Sequence, residues 1–277
     1  MNCKLISFDL DGTLLRDDKT VSPASVQALK AAHEAGMLIV PSTGRMYSGL
    51  PAQVASLPFL DYCIFGNGSG VYDIKNDRTI AEITMPVGEV LTLLEHYSFP
   101  EACYGVYRDK LGYMESRMLE VIDKYTPTAY FAEFLRGQYS PVEDLKQYLK
   151  ENEPTVNKLN FYFMGEEKKN TELVNAVKAF KGYSVTSSMP TIIEVTNINA
   201  HKGNALKLLC AHAGIDISQT AAFGDGGNDI TLIREAGLGV AMSNAIPELK
   251  AAANYITLSN EEDGVAYVIN KLLGGEL

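Results

Sequence analysis

Four short apolar runs, each too brief for a helix and each emptying into glycine and carboxylate or hydroxyl residues, constrain the fold of this chain most. Lys4-Leu5-Ile6-Ser7-Phe8 stops at Asp9-Leu10-Asp11-Gly12, and Met37-Leu38-Ile39-Val40 stops at Pro41-Ser42-Thr43-Gly44-Arg45. Tyr62-Cys63-Ile64-Phe65 stops at Gly66-Asn67-Gly68-Ser69-Gly70, and Ala221-Ala222-Phe223 at Gly224-Asp225-Gly226-Gly227. Continuous apolar runs of this length suit parallel strands buried on both faces. Between the first two, Ser22-Pro23 supplies an N-cap and a proline at the first helical position, and Gly36 ends the helix. Strand, helix, strand is a βαβ unit. The C-terminal third repeats the grammar: a helix from Ala200 to Ala213 ending at Gly214, then the Ala221 strand, a helix from Asn228 to Glu235, and a strand from Leu238 to Met242. The expected class is α/β, a Rossmann-like doubly wound parallel sheet.

The middle of the chain has a different texture. Between about residues 83 and 186, Tyr and Phe become dense, and Asn157 to Phe163 alternates polar with apolar, as an antiparallel sheet with one solvated face would. Helices around Pro141 to Asn152 and Glu166 to Lys181 would cover its other side. This stretch reads as an inserted α+β module, with residues 1–82 and 187–277 forming the α/β domain around it. The length, 277 residues, has room for two such domains. The module's aromatics read as packing residues.

Charge narrows the partners. With 34 acidic against 24 basic side chains the net charge is -10, a field that repels nucleic-acid phosphates and anionic lipid surfaces. The expected partner is a small molecule, with neither nucleic acid nor membrane; oligomeric state has no signature. Acidic residues interrupt the N-terminal apolar stretch before it could act as a signal peptide, so a cytoplasmic location is expected. Cys3, Cys63, Cys103 and Cys210 are scattered without metal-ligand spacing and read as reduced core residues. His33, His96 and His212 receive no role, and His201 is expected to be exposed at a helix start.

The chemistry concentrates at strand ends, where open parallel sheets bind ligands. Asp9-Leu10-Asp11-Gly12-Thr13 places two carboxylates two residues apart. It is no EF-hand, whose glycine stands sixth in the loop whereas Gly12 is fourth from Asp9. Ser42-Thr43-Gly44-Arg45 offers a hydroxyl, an approachable backbone and a guanidinium, though alone it could be a plain turn. His201-Lys202-Gly203-Asn204 puts an ammonium at a helix start. Gly224-Asp225-Gly226-Gly227-Asn228-Asp229 adds two carboxylates and an amide, with Asp229 where a dinucleotide fingerprint needs its third glycine. If these ends converge, Asp9, Asp11, Asp225 and Asp229 bring up to four negative charges together, a repulsion that calls for a cation. All-oxygen ligation points to Mg²⁺, and Lys202 would help accept an anionic substrate.

The four motifs, in this order and with a large insertion between the second and third, resemble the haloacid dehalogenase superfamily, in particular its Cof-type phosphatases with a large α/β cap. Gly239 to Ala245 and Asn260 to Ala266 resemble the C-terminal signatures of that family. The resemblance implies Asp9 as nucleophile, forming an aspartyl-phosphate, and Asp11 as acid/base with a pKa near working pH. It implies Mg²⁺ held by Asp9, the Asp11 backbone carbonyl and Asp225, with Asp229 as ligand or as partner to one. Thr43, the amides of Leu10 and Gly44, Lys202 and Asn228 would hold the phosphoryl oxygens, and Thr13 would orient Asp11. The implied function is Mg²⁺-dependent hydrolysis of small phosphomonoesters such as sugar phosphates. A phosphotransferase or mutase using the same intermediate, or a non-catalytic phosphometabolite-binding protein, are the alternatives.

Overall fold

The structure, a computed structural model, describes residues 2–96, 102–108, 110–163, 175, 177, 181–189 and 192–277. The chain divides into two units, residues Met1–Ala81 with His201–Leu277, and Glu82–Ala200.

The first unit is built on a five-stranded sheet in the order Tyr255–Ile256, Leu238–Ala241, Thr220–Gly224, Leu5–Phe8, Leu38–Pro41, every pair parallel. The central Leu5–Phe8 strand is buried at all four positions, which is why its sequence shows no alternation. Helices Pro23–Glu34 and Gly264–Leu273 pack on each other, as do Lys202–Ala213 and Ile230–Glu235. Leu29 and Ile269 from the first pair, and Leu206 and Leu232 from the second, join the strand residues in one apolar core. Tyr62–Phe65 runs alongside Leu38–Pro41, with Asp61 N donating to Ile39 O (3.1 Å) and Thr43 N to Ile64 O (2.9 Å). It then turns through Gly66–Gly68 into an antiparallel partner, Gly70–Asp73. Because the five sheet strands are parallel, their C-terminal ends lie on one edge, and Asp9, Ser42 and Asp225 follow three of them directly.

Helix boundaries differ from expectation for identifiable reasons. Ser22 caps Pro23–Glu34 as read, its hydroxyl accepting from Ser25 N. The helix expected from Ala200 starts at Lys202 because His201 takes the N-cap, Nδ1 accepting from Asn204 N (3.1 Å). His201 is therefore half-buried and engaged, where the sequence suggested a solvated residue. The stretch from Asn228 begins as a single 3-10 turn, Gly227–Asp229, before α-helix Ile230–Glu235. The Asp229 carboxylate folds back onto the amides of Asp225 and Gly226, which tightens that turn.

The second unit carries a six-stranded sheet in the order Tyr183–Met189, Ile192–Asn197, Lys158–Phe163, Ala102–Arg108, Leu111–Glu115, Tyr139–Val142. The expected antiparallel pairing holds except at the last, parallel pair. The fold class of the sequence reading, doubly wound α/β with an inserted α+β module, is the one observed. Its second boundary moves. The Tyr183–Met189 and Ile192–Asn197 strands belong to the inserted sheet, so the junction falls after Ala200 and not at 186/187. Pro141 sits in an edge strand, where a missing N–H is tolerated, and the helix begins later at Leu145 with Asp144 accepting from Gln147 N. The helix expected over Glu166 to Lys181 lies for the most part outside the described residues. Among the described residues, no helix is long and apolar enough to cross a membrane, and all four cysteines are buried and free.

The solvated sheet face is not found at Lys158–Phe163, all six of whose residues are buried. The alternation there reflects polar groups that pair inside. Lys158 Nζ donates to Glu194 Oε1 (2.9 Å), and Asn160 Nδ2 to the Tyr162 hydroxyl (3.1 Å), which in turn shares a hydrogen bond with Tyr139. Removing one partner of a buried ion pair costs more than replacing both by apolar groups. Glu194→Ala is therefore expected to destabilise the protein by about 3 kcal/mol, and the pair Lys158→Met with Glu194→Leu by less, as measured by urea denaturation; equal losses would contradict the assignment.

Candidate active site

The first unit gathers Asp9, Asp225 and Asp229 at its strand ends, one carboxylate oxygen of each lying within 4.8 Å of the other two. Asp9 is placed by continuation of the central strand, its amide donating to Phe223 O (3.0 Å). Lys202, fully buried in the first turn of its helix, sends its ammonium between two of them, 2.7 Å from Asp9 Oδ1 and 2.6 Å from Asp229 Oδ1. Asp229 Oδ2 accepts from the amides of Asp225 (3.1 Å) and Gly226 (3.0 Å), so both of its oxygens are held by donors.

Titration follows from this crowding. Burial raises Asp9 to about 7; Lys202 opposes the rise, and Asp229 and Asp225 add to it. Asp225 is raised to about 6, again by burial first, with the Thr13 hydroxyl opposing and Asp229 reinforcing. For Lys202, burial alone would lower the pKa, but the Asp229 and Asp9 carboxylates outweigh it and push the ammonium well above its usual range. One internal cation thus stands among three carboxylates, and Asp9 and Asp225 are raised by burial first and by their acidic neighbours in addition. That donor set, hard oxygens in a cluster of one ammonium and three acids, fits a hard divalent cation.

Asp11 is arranged differently from the sequence expectation. Its carboxylate is absent from the cluster and is gripped by Arg45, with Nε on Oδ2 (2.9 Å) and Nη2 on Oδ1 (3.0 Å), and by Lys19 Nζ on Oδ1 (3.0 Å). Burial alone would raise it, but Arg45 and Lys19 together hold it below the usual carboxylate range. Such a group is ionised in this arrangement, a weak base with no proton to donate until its surroundings change. Thr13, expected to orient Asp11, instead donates to Asp225 Oδ1 (2.8 Å).

The remaining motif residues lie around the same edge. Thr43 is buried just after the Leu38–Pro41 strand, its hydroxyl accepting from Arg45 N (3.1 Å), and Gly44 follows it. Leu10, also fully buried, lies between Asp9 and Asp11, and Asn228 points its Nδ2 at Asn67 Oδ1 (3.1 Å). The C-terminal signature acts as an anchor: Asn260 Nδ2 reaches Leu15 O (3.0 Å) and Asn244 Nδ2 reaches Gly12 O (2.8 Å), bracing the loop that carries Asp11. Lys19 was missed by the sequence reading, since a lysine in an exposed loop ordinarily solvates a surface.

Parallel strand ends bearing this carboxylate and lysine set suit a hard divalent cation and an anionic ligand. A family model described as haloacid dehalogenase-like hydrolase matches residues 6–269. The putative phosphatase YxeH of Bacillus subtilis is 31% identical over 277 residues, covering 98% of each chain. The 5-amino-6-(5-phospho-D-ribitylamino)uracil phosphatase YwtE of the same organism is 29% identical, covering 99% of each. Among solved structures, a haloacid dehalogenase-like hydrolase from Bacteroides thetaiotaomicron superposes with a TM-score of 0.82 at 27% identity, covering 98% of this chain and 99% of that one. The chain belongs to the haloacid dehalogenase-like hydrolases and is a phosphatase of the Cof type.

Deleting the internal cation tests the electrostatic account. Lys202→Met leaves Asp9 and Asp229 buried without their partner and is expected to cost about 3 to 5 kcal/mol of stability. The carboxylates can relieve the charge only by taking up protons, which is easier at low pH, so the loss should be smaller at pH 5.5 than at pH 8. Denaturant melts at the two pH values check this; a pH-independent loss would contradict it.

Proposed function

We propose that this protein hydrolyses small phosphomonoesters, sugar phosphates or related metabolites, with Mg²⁺ and through a phosphoryl group carried on Asp9. The observation that carries the reading is the Lys202 ammonium fixed between Asp9 and Asp229, with Asp225 beside them. Asp9 and Asp225, with the Asp11 carbonyl, are the groups that would hold Mg²⁺, while Asp229 is committed to Lys202 and two amides and sets the geometry of the loop. When bound, the cation screens the phosphate charge from the carboxylate nucleophile.

In the first step an Asp9 oxygen bonds to phosphorus as the ester P–O bond breaks, and the leaving alkoxide takes a proton from Asp11. In the second, Asp11 removes a proton from water, whose oxygen bonds to phosphorus as the P–O bond to Asp9 breaks, releasing inorganic phosphate. Asp11 must first gain a proton. A phosphoryl dianion beside Asp9 competes for Arg45 and Lys19 and adds negative charge near Asp11, and both effects raise its proton affinity. Thr43, the Leu10 and Gly44 amides, Lys202 and Asn228 supply donors for the phosphoryl oxygens, with transition-state donors of this kind worth about 3 to 4 kcal/mol each. The relatives support the substrate class, since the similar YwtE protein is named a 5-amino-6-(5-phospho-D-ribitylamino)uracil phosphatase.

Asp9→Asn is expected to abolish release of phosphate from an aryl phosphate while leaving the melting temperature near that of the wild type; near wild-type turnover with Mg²⁺ present would overturn the nucleophile. Metal binding has its own signature. Protons compete with the cation at Asp9 and Asp225, raised to about 7 and about 6, so the rise in Tm on adding Mg²⁺ should be larger at pH 8 than at pH 5.5. A Tm rise independent of pH, or none, would contradict these ligands.

A further inference from the structure

Gly66-Asn67-Gly68-Ser69-Gly70, the third strand end, has no part in the chemistry so far, yet it touches three segments that do. Asn67 is 7% exposed and sits in the left-handed region, φ 59° and ψ 25°. Its amide donates to Thr43 O (3.0 Å), and the preceding Gly66 amide donates to Arg45 O (2.8 Å), pinning the Thr43-Gly44 turn from below. A Cβ at Gly44 would stand 2.7 Å from Asn67 Oδ1, so the Asn67 carboxamide packs against the Gly44 backbone because Gly44 has no side chain. Gly68, at φ 96°, leaves no space for a Cβ against the His201 carbonyl at the start of the Lys202 helix.

The side chain completes the arrangement. Asn228 is exposed and at the surface would rotate freely, presenting either oxygen or nitrogen to an anion. Here its Nδ2 donates to Asn67 Oδ1 (3.1 Å), and its Oδ1 lies over Gly226, 2.9 Å from where a Cβ would be. One N–H of that amide is thereby committed to Asn67 and the second is left to donate, with the carbonyl end turned aside. Orientation of this kind is what lets a single amide act as a donor to charge without reorganising.

We propose that Asn67 is a positioning residue of the phosphoryl site, acting through Asn228 by fixing its carboxamide with the donor end toward a bound phosphoryl group. The inference rests on the phosphomonoesterase reading and adds to it a residue that makes no contact with substrate.

Asn67→Gly is the informative variant, because glycine adopts the left-handed backbone without strain while the carboxamide is lost. Inorganic phosphate is titrated calorimetrically in the presence of Mg²⁺ into the wild type, N67G, N228A and the double variant, with kcat and KM for an aryl phosphate measured alongside. N67G should weaken phosphate binding roughly threefold to tenfold, the worth of one hydrogen bond, with a matching rise in KM. In the N228A background the same change should do nothing further, a coupling that a merely structural role would not produce. Unchanged phosphate binding in N67G, or losses that multiply in the double variant, would overturn the inference alone. Should N67G fail to fold, N67S is put through the same cycle, and the same outcomes decide. A wild type that neither binds phosphate nor hydrolyses the ester would overturn the phosphomonoesterase reading and this inference with it.

Discussion

Three carboxylates and one ammonium share a volume from which water is largely excluded, and the rest of the site is arranged around that imbalance. Asp9 and Asp229 each contribute an oxygen to Lys202 at hydrogen-bond distance, and the lysine has no exposed surface. A buried charge without a partner costs several kcal/mol, so the lysine cannot be an incidental helix residue. Nor does it neutralise the cluster. Asp9 and Asp225 are raised by burial first, with the neighbouring carboxylates adding to the rise, and an all-oxygen set of this kind fits a hard divalent cation.

Neighbouring polar groups relieve the same crowding by division of labour. Asp229 is occupied by two amides and the ammonium, which makes it a scaffold for the turn it terminates. Thr13 supports Asp225, and Asp11 is drawn away by Arg45 and Lys19. Two carboxylates two residues apart on one loop therefore experience opposite fields. The environment of Asp9 favours the proton and that of Asp11 favours the charge, a separation by surroundings of the sort that assigns distinct roles to like groups.

The inserted unit shows where local pattern stops being informative. Alternation in Asn157 to Phe163 identified a strand correctly and misjudged its surroundings, because Lys158 and Asn160 satisfy their polar groups with Glu194 and Tyr162. Period-two patterning reports which residues share a face, and a polar face can be solvated or internally paired with the same sequence. Likewise Pro141 reads as a helix start by composition and is an edge-strand residue by pairing. The Ile192–Asn197 strand fell outside the expected module for a related reason: it pairs with Lys158–Phe163 upstream, and sheet membership is a non-local property.

By itself the sequence determined the parallel α/β framework and brought Asp9, Asp225 and Asp229 to one edge of it. Both follow from strand ends, since apolar runs of strand length lie parallel in this topology and parallel strands deliver their final residues to a common edge. Which side chain meets which was decided only in three dimensions. Thr13 and Asp225 stand 212 positions apart, Asn67 and Asn228 stand 161, and Arg45 reaches Asp11 across 34. Hydrogen-bond partners at such separations depend on rotamer and on the close approaches allowed at residues such as Gly44 and Gly68, and neither is written in the local spacing of polar and apolar residues.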